Sequence, residues 1–398
     1  MRKMATVAAA ALLEDINIAP LPELGQALWS WPPCARCLAW QACLSDTCPC
    51  RHGSRLQRYL QFYKAVVSDY VDGLRKSSRA LKTHGDLFRA ISILRSHPDM
   101  TRSEFCRVGF PQKDGNPPFE AADLRKATAL VVKVLMMVEC SAPHQSSDRL
   151  EKGSFRVQWK DDIAFSKYIQ DLFPVENHHI LSYGDSDLLL DMKSELRAVK
   201  LKKHLGISFR ATHDVRSHLY FDRQAKVLEI FHHTAFLKEQ LRATKGSGDF
   251  SNPSTSIRVG ALPRQLVLEV LDSIQGVLFP LSNPRSKRLL QSLVQTCSLD
   301  PDVTKFEFNS IRNPGEENVS YVFLADRLSD LYNEVRNPRP SGWLERRMER
   351  KSGARYMMMA TLIGVVFAVL LGMASLAVSS YQTWIAYQAW QHPIAPAS

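Results

Sequence analysis

From Met357 to Val378 the chain runs 22 residues without a charge, MMMATLIGVVFAVLLGMASLAV, and no other stretch limits its fold so tightly. At about 1.5 Å of rise per residue this run covers roughly 33 Å, against about 30 Å for the hydrocarbon core of a bilayer. A helix buried in a soluble core seldom stays apolar on every face over that length. The segment therefore reads as a transmembrane helix, with the lipid bilayer as its solvent.

The flanks give the expected orientation. Arg346, Arg347, Arg350, Lys351 and Arg355 precede the span, whereas Ser379 to Ser398 contains neither lysine nor arginine. Positive charge is retained on the cytosolic side, so the residues before the span are expected in the cytosol, with the basic cluster against anionic lipid headgroups. Tyr381, Trp384, Tyr387 and Trp390 follow it, where amphipathic rings prefer the headgroup zone, so Trp384 and Tyr387 are read as membrane-interface residues. The short segment after the span suggests a tail-anchored arrangement. Met4 to Leu13 is mostly alanine and ends at Glu14 and Asp15, which does not suit a secretory signal. Glycosylation at Asn318, the one sequon, would reverse this topology. Within the span Ala360, Gly364, Ala368 and Gly372 recur every four residues on one side, a pattern that lets a second helix approach, from another copy or another protein.

The rest of the 398 residues suffices for two modest domains. The composition, 45% hydrophobic and 23% charged, is that of a globular protein rather than a disordered tail. A net charge of +11 favours polyanionic surfaces, nucleic acid or anionic lipid, and the anchor favours lipid.

Periodicity predicts helices over Arg55–Lys82, Asp86–Arg95, Ala121–Cys140, Ile163–Phe173, Asp187–His204, Ala235–Arg242 and Leu324–Val335. Thr101 with Glu104 predicts a capping box, and Gly206 a helix stop. Pro263 is expected at the start of a helix carrying Leu266, Val270, Ile274 and Leu278, and Asn283-Pro284 at the start of another. Strand character is expected for Phe155, Val157 and Trp159, for Val227–His232, and for Phe306 and Phe308. Thr212 reads as a helix N-cap, and Lys245–Gly260 as a flexible loop. Three helices followed by a strand invite a winged-helix comparison, but Ala121–Cys140 is too apolar to read DNA, so nucleic acid is not the expected partner.

These pieces give an expected architecture that is mainly α with a few short strands. In order they are a Cys-rich region 1–53, helical units 54–175 and 186–335, a basic linker 336–356, the membrane helix 357–378 and a short tail 379–398.

Two clusters of potential ligands stand out. Cys34, Cys37, Cys43, Cys48 and Cys50, with His52, could supply tetrahedral ligands to zinc, the one cofactor the sequence suggests, although their spacing fits no common zinc module. His178-His179 and His232-His233 are adjacent pairs whose side chains point apart in a regular element. His213, His218, His232 and His233 with Asp214 and Asp222 would make a metal or acid–base site only by converging in space. No His-Glu-x-x-His, Gly-x-Ser-x-Gly, Walker A or Gly-x-Gly-x-x-Gly motif occurs, so no catalytic residue is assigned.

The blocks LKKHLGISFRATHDVRSHLYFD, IFHHTAFLKEQLRAT and ALPRQLVLEVLDSIQGVLFPLSNPRSKRLLQSLV, with the ending GWLERRMERKSGARYMMMATLIGVVFAVLLGMASLAV, resemble a family of single-pass membrane proteins of ascomycete-type filamentous fungi, of unknown function. The resemblance spans roughly Asp86 to Trp390. It implies a single membrane pass and brings no activity, cofactor or catalytic residue. The expected role is binding or scaffolding by cytosolic units at a membrane, with an unknown cytosolic protein as partner. The alternatives are an anchored enzyme with its site in the second helical unit, and a tethered regulator with a zinc or nucleic-acid module.

Overall fold

Side-chain caps set many of the helix starts. Thr83 and Thr101 each accept a hydrogen bond from the backbone N–H three residues on, and Asp86 and Glu104 return the bond to the cap residue, so both are complete capping boxes. Asn283 accepts from the N–H groups of Arg285 and Ser286 with Pro284 in the first turn. Gly206, at φ +66°, closes a helix in the left-handed conformation that glycine adopts at least cost.

The computed structural model describes residues 11–15, 21–32, 53–73, 79–112, 118–140, 158–175, 186–246, 248–337 and 355–391. The fold is mainly α. Its first helices are α1 (Leu21–Trp29), α2 (Gln57–Asp72), α3 (His84–Ser96), α4 (Arg102–Gly109), α5 (Ala121–Met136) and α6 (Phe165–Leu172). Then come α7 (Ser186–Glu195), α8 (Ala198–Leu205), and strands β1 (Ser208–Thr212), β2 (Phe221–Asp222) and β3 (Val227–Phe231). Helices α9 (Thr234–Ala243), α10 (Pro253–Arg258), α11 (Arg264–Asp272), α12 (Pro284–Thr296), α13 (Ala325–Arg336) and α14 (Arg355–Gln391) complete the order.

The sheet has the order β1-β3-β2. β1 runs parallel to β3 in a register that pairs Ser208 with Val227 and Thr212 with Phe231, and β2 runs antiparallel to β3. Between β1 and β3 the chain passes through a 3-10 turn and β2, a crossover long enough for parallel pairing.

Residues Met1–Arg336 group as one compact unit and Asn337–Ser398 as a second. The expected helical units 54–175 and 186–335 share one core within the first. Tyr59 of α2 stacks on Phe236 of α9 at 4.8 Å, Trp29 of α1 lies 5.5 Å from Phe236, and the Tyr59 hydroxyl donates to the Val134 carbonyl of α5. Each such ring, fully buried, contributes about 1.5–3 kcal/mol. Gly260, at φ +75°, lets the chain before α11 approach α1 so closely that a Cβ there would collide with the Leu28 carbonyl.

Several local expectations are corrected. Thr212 ends β1, and it is Asp214 that caps the 3-10 turn Val215–Ser217. Trp159 is a buried loop residue whose Nε1–H donates to the Ile163 carbonyl; Phe155 and Val157 lie outside the described residues. Part of Lys245–Gly260 is helical, because Asn252 caps α10 while Ser256 and Ile257 are fully buried. Phe306 and Phe308 form no strand; their rings stack at 6.4 Å, with the Arg312 guanidinium over Phe308. Asp187–His204 divides into α7 and α8 around buried Leu196. Helix α11 widens into a π-helical turn, Ser273–Leu278.

In the second unit, α14 extends 37 residues, and its stretch Thr361–Gln391, at a mean window hydropathy of 2.5, is exposed throughout. It is long and apolar enough to cross a membrane. Tyr381, Trp384, Tyr387 and Trp390, expected in a tail, continue the same helix, which meets no helix breaker before Pro393.

Candidate functional site

The parallel pairing of β1 with β3 builds the site. Since Thr212 faces Phe231, the residues that leave the two strands, His213 and His232, emerge side by side at neighbouring strand ends. His233 then breaks the alternation that would send it the other way. At φ −75°, ψ 64°, with the Thr234 N–H donating to the His232 carbonyl at 2.7 Å, it is the centre of an inverse γ-turn and the N-cap of α9. The turn brings the His232 and His233 rings to 4.1 Å between centroids, with His213 5.1 and 5.0 Å from them.

One ring nitrogen of each of His213, His232 and His233 lies within 4.8 Å of the others. His213 Nδ1 and His233 Nε2 face each other at 2.7 Å. His213 is exposed, while His232 and His233 are 2% and 1% exposed. Phe62 of α2 covers the pair, 5.3 Å from His213 and 5.5 Å from His233.

Burial dominates the electrostatics. It pushes His232 down to about 3, helped by His213 and the positive charge of Arg58, and drives His233 well below the ordinary range. His213 keeps an exposed edge, but the side of its ring that packs under Phe62 and against His233 loses water, and this with the charge of Lys133 lowers it too. All three imidazoles are thus neutral at pH 7, each with one ring nitrogen that bears a proton and one that can accept.

The surroundings fix one tautomer. The Asp300 backbone N–H donates to His232 Nδ1 at 3.0 Å, so the neutral ring carries its proton on Nε2. Asp300 is held by a buried ion pair behind it. Lys238 of α9 donates to Asp302 Oδ2 at 2.5 Å and to the Lys305 carbonyl at 2.7 Å, and Thr234 also donates to Asp302. Burial raises the Asp300 carboxyl to about 6. His233 Nδ1, by contrast, is buried without a hydrogen-bond partner.

Of the six side chains considered from sequence, three come together and three do not. His218 sits in the core, accepting at Nδ1 from the Phe231 N–H and donating from Nε2 to the Ser273 hydroxyl. Asp214 is bound to Arg216, and Asp222 accepts from the N–H groups of Gln224 and Ala225 in the β2–β3 turn. His178-His179, the cluster Cys34, Cys37, Cys43, Cys48, Cys50 and His52, and the basic residues Arg346, Arg347, Arg350 and Lys351 lie outside the described residues. The Lys238–Asp302 pair was not anticipated. Nothing local in the sequence couples Asp302 to a lysine 64 residues earlier.

A groove of about 630 Å³ lies elsewhere, between α1 and α3, lined by Glu23, Trp31, Phe88 and Arg89 among others.

Compared with known proteins, the chain matches no family model, no curated protein and no solved structure. The class that fold and site define is a mainly α body carrying three clustered histidines at the end of a small sheet, with one C-terminal helix of membrane-spanning length.

Proposed function

We propose that this chain is a single-pass, tail-anchored membrane protein whose body acts as a binding module on the cytosolic side. The observation that carries this reading is α14, where 18 consecutive residues within Thr361–Gln391 reach a mean hydropathy of 2.5 and none of them is buried. The asymmetry of charge supports the orientation: Arg346, Arg347, Arg350, Lys351 and Arg355 before the span, facing anionic headgroups, and no lysine or arginine in 379–398. Trp384 and Tyr387, both exposed on α14, suit the far interface. Gly364 and Gly372, where an added Cβ would meet open space, suit approach by a second helix. The groove between α1 and α3 is the place on the body for a protein partner, with aromatic walls and charges of both signs.

The test is fractionation followed by protease protection. Full-length chain stays with membranes under alkaline extraction, a chain ending at Arg336 does not, and protease added outside sealed vesicles digests the body. Release of the intact chain rejects the anchor, and a protected body with glycan on Asn318 rejects the orientation. A membrane-anchored enzyme is the second reading, favoured by the converging histidines.

A further inference from the structure

His213 and His233 point ring nitrogens at each other across 2.7 Å, a separation that holds only while one proton lies between two lone pairs. A metal ion is the other occupant of such a pair, and it needs the nitrogens only slightly further apart, roughly 3.3 Å for two ligands of a tetrahedral zinc. His213 is on the exposed side and free to make that adjustment; His233 is anchored at the start of α9.

Two further observations point the same way. His233 Nδ1 is buried and has no partner, so no second hydrogen bond commits the ring to one tautomer, and Nε2 can be a bare donor to a cation. The charged side chains that act on the rings are Lys133 and Arg58, both cations, and the donor atoms that converge here are imidazole nitrogens alone. Such a set suits zinc, copper or nickel and disfavours calcium and magnesium, which prefer oxygen.

We propose that His213 Nδ1 and His233 Nε2 form a binding site for a divalent transition metal at the end of the β1–β3 pair, with the remaining coordination positions filled by solvent or an anion from the exposed side. His232 has a different role. The Asp300 N–H occupies its Nδ1, so Nε2 keeps its proton and offers a hydrogen bond to the water or anion on the metal rather than a bond to the metal itself. This site is separate from the membrane-anchoring reading and does not depend on it.

The experiment titrates Zn²⁺ into the full chain, stripped with chelator and held in detergent micelles, with Co²⁺ as a spectroscopic probe. His213→Gln and His233→Gln each weaken binding by roughly 100-fold or more, beyond the 10- to 100-fold typical of groups one step removed from a metal. His232→Gln, which keeps an N–H donor, weakens it by no more than about 10-fold. Exposed His204→Gln leaves it unchanged. Because His213 is exposed, its replacement leaves the body folded, and circular dichroism verifies this. The Co²⁺ form shows visible ligand-field bands without sulfur-to-metal charge transfer at this site; a Cys34–Cys50 site would show that transfer and would survive His213→Gln. Zn²⁺ binding that is absent, or unaffected by His213→Gln in folded protein, overturns the proposal. Loss on His232→Gln as large as on His233→Gln overturns the role given to His232.

Discussion

Glu269 and His233 are buried almost equally, at 0% and 1% exposure, yet the protein treats them in opposite ways. Glu269 Oε1 accepts from the Val322 N–H and the Gln265 amide, and Oε2 from the N–H groups of Phe323 and Leu324, at the start of α13. Burial lifts its carboxyl to about 7, against four donors that pull it down. His233 has one nitrogen committed to another histidine and the other to nothing. A buried polar group with every bond made holds elements together; one with bonds outstanding is held in place by its surroundings and is available for something else.

The largest effect should come from breaking the buried Lys238–Asp302 pair, in which the ammonium has three acceptors although Asp302 Oδ1 has no partner. Lys238→Met leaves Asp302 buried without its cation and is expected to lower stability by about 3–5 kcal/mol, whereas Lys238→Met with Asp302→Leu recovers most of that loss. Urea denaturation of both variants measures the difference, and equal losses would contradict an interacting pair. Glu269→Ala strands three backbone donors at α13 and should cost about 3 kcal/mol or more; a loss under about 1 kcal/mol would place those N–H groups in contact with water instead.

A smaller effect comes from His218, the satisfied histidine. Burial takes it from the ordinary 6.5 to about 3, so the folded form stays neutral while the unfolded chain binds a proton below about pH 6.5. The stability it contributes is complete above that pH and drains away as pH falls toward 3. Between pH 7 and pH 5 the loss is about 2 kcal/mol, and His218→Gln should lack it. Denaturation of both proteins at the two pH values checks this, since the raised carboxyls of Glu269 and Asp300 act equally in each. Parallel pH dependences would show that His218 is not the group.

The smallest effect belongs to the unsatisfied side. His233→Phe removes an imidazole whose Nδ1 had no partner and releases His213 to water, so stability should change by less than about 1 kcal/mol. A loss as large as that of Glu269→Ala would erase the contrast between the two residues.

What could be read in the sequence follows how local each interaction is. The capping boxes at Thr83 and Thr101 and the starts at Asn283 lie within four residues of their partners, although only the one at Thr101 was read as a capping box. Helix α14 was legible from composition, but its continuation through Tyr381–Trp390 was not, because the sequence after Val378 is less apolar, although no breaker falls before Pro393. β1 was missed because a five-residue strand with the burial order exposed, buried, exposed gives little periodic signal, and its partner begins 19 residues after its own first residue. The histidines could be named as candidates, but the γ-turn at His233 that makes His232 and His233 face together has no signature in residue type. His218, equally prominent in sequence, is distinguished only by Ser273 and Phe231 around it.

The stretch Thr361–Gln391 measures roughly 46 Å as a helix, about half as long again as the oily slab it would cross. The surplus is the end that follows Val378, where Ser379, Ser380, Gln382, Thr383, Gln388 and Gln391 prefer water and the four rings prefer the headgroup zone, so it is suited to emerge rather than to be submerged. A thicker bilayer would therefore draw this polar and aromatic end toward the hydrocarbon, and a thinner one would leave more of it in water.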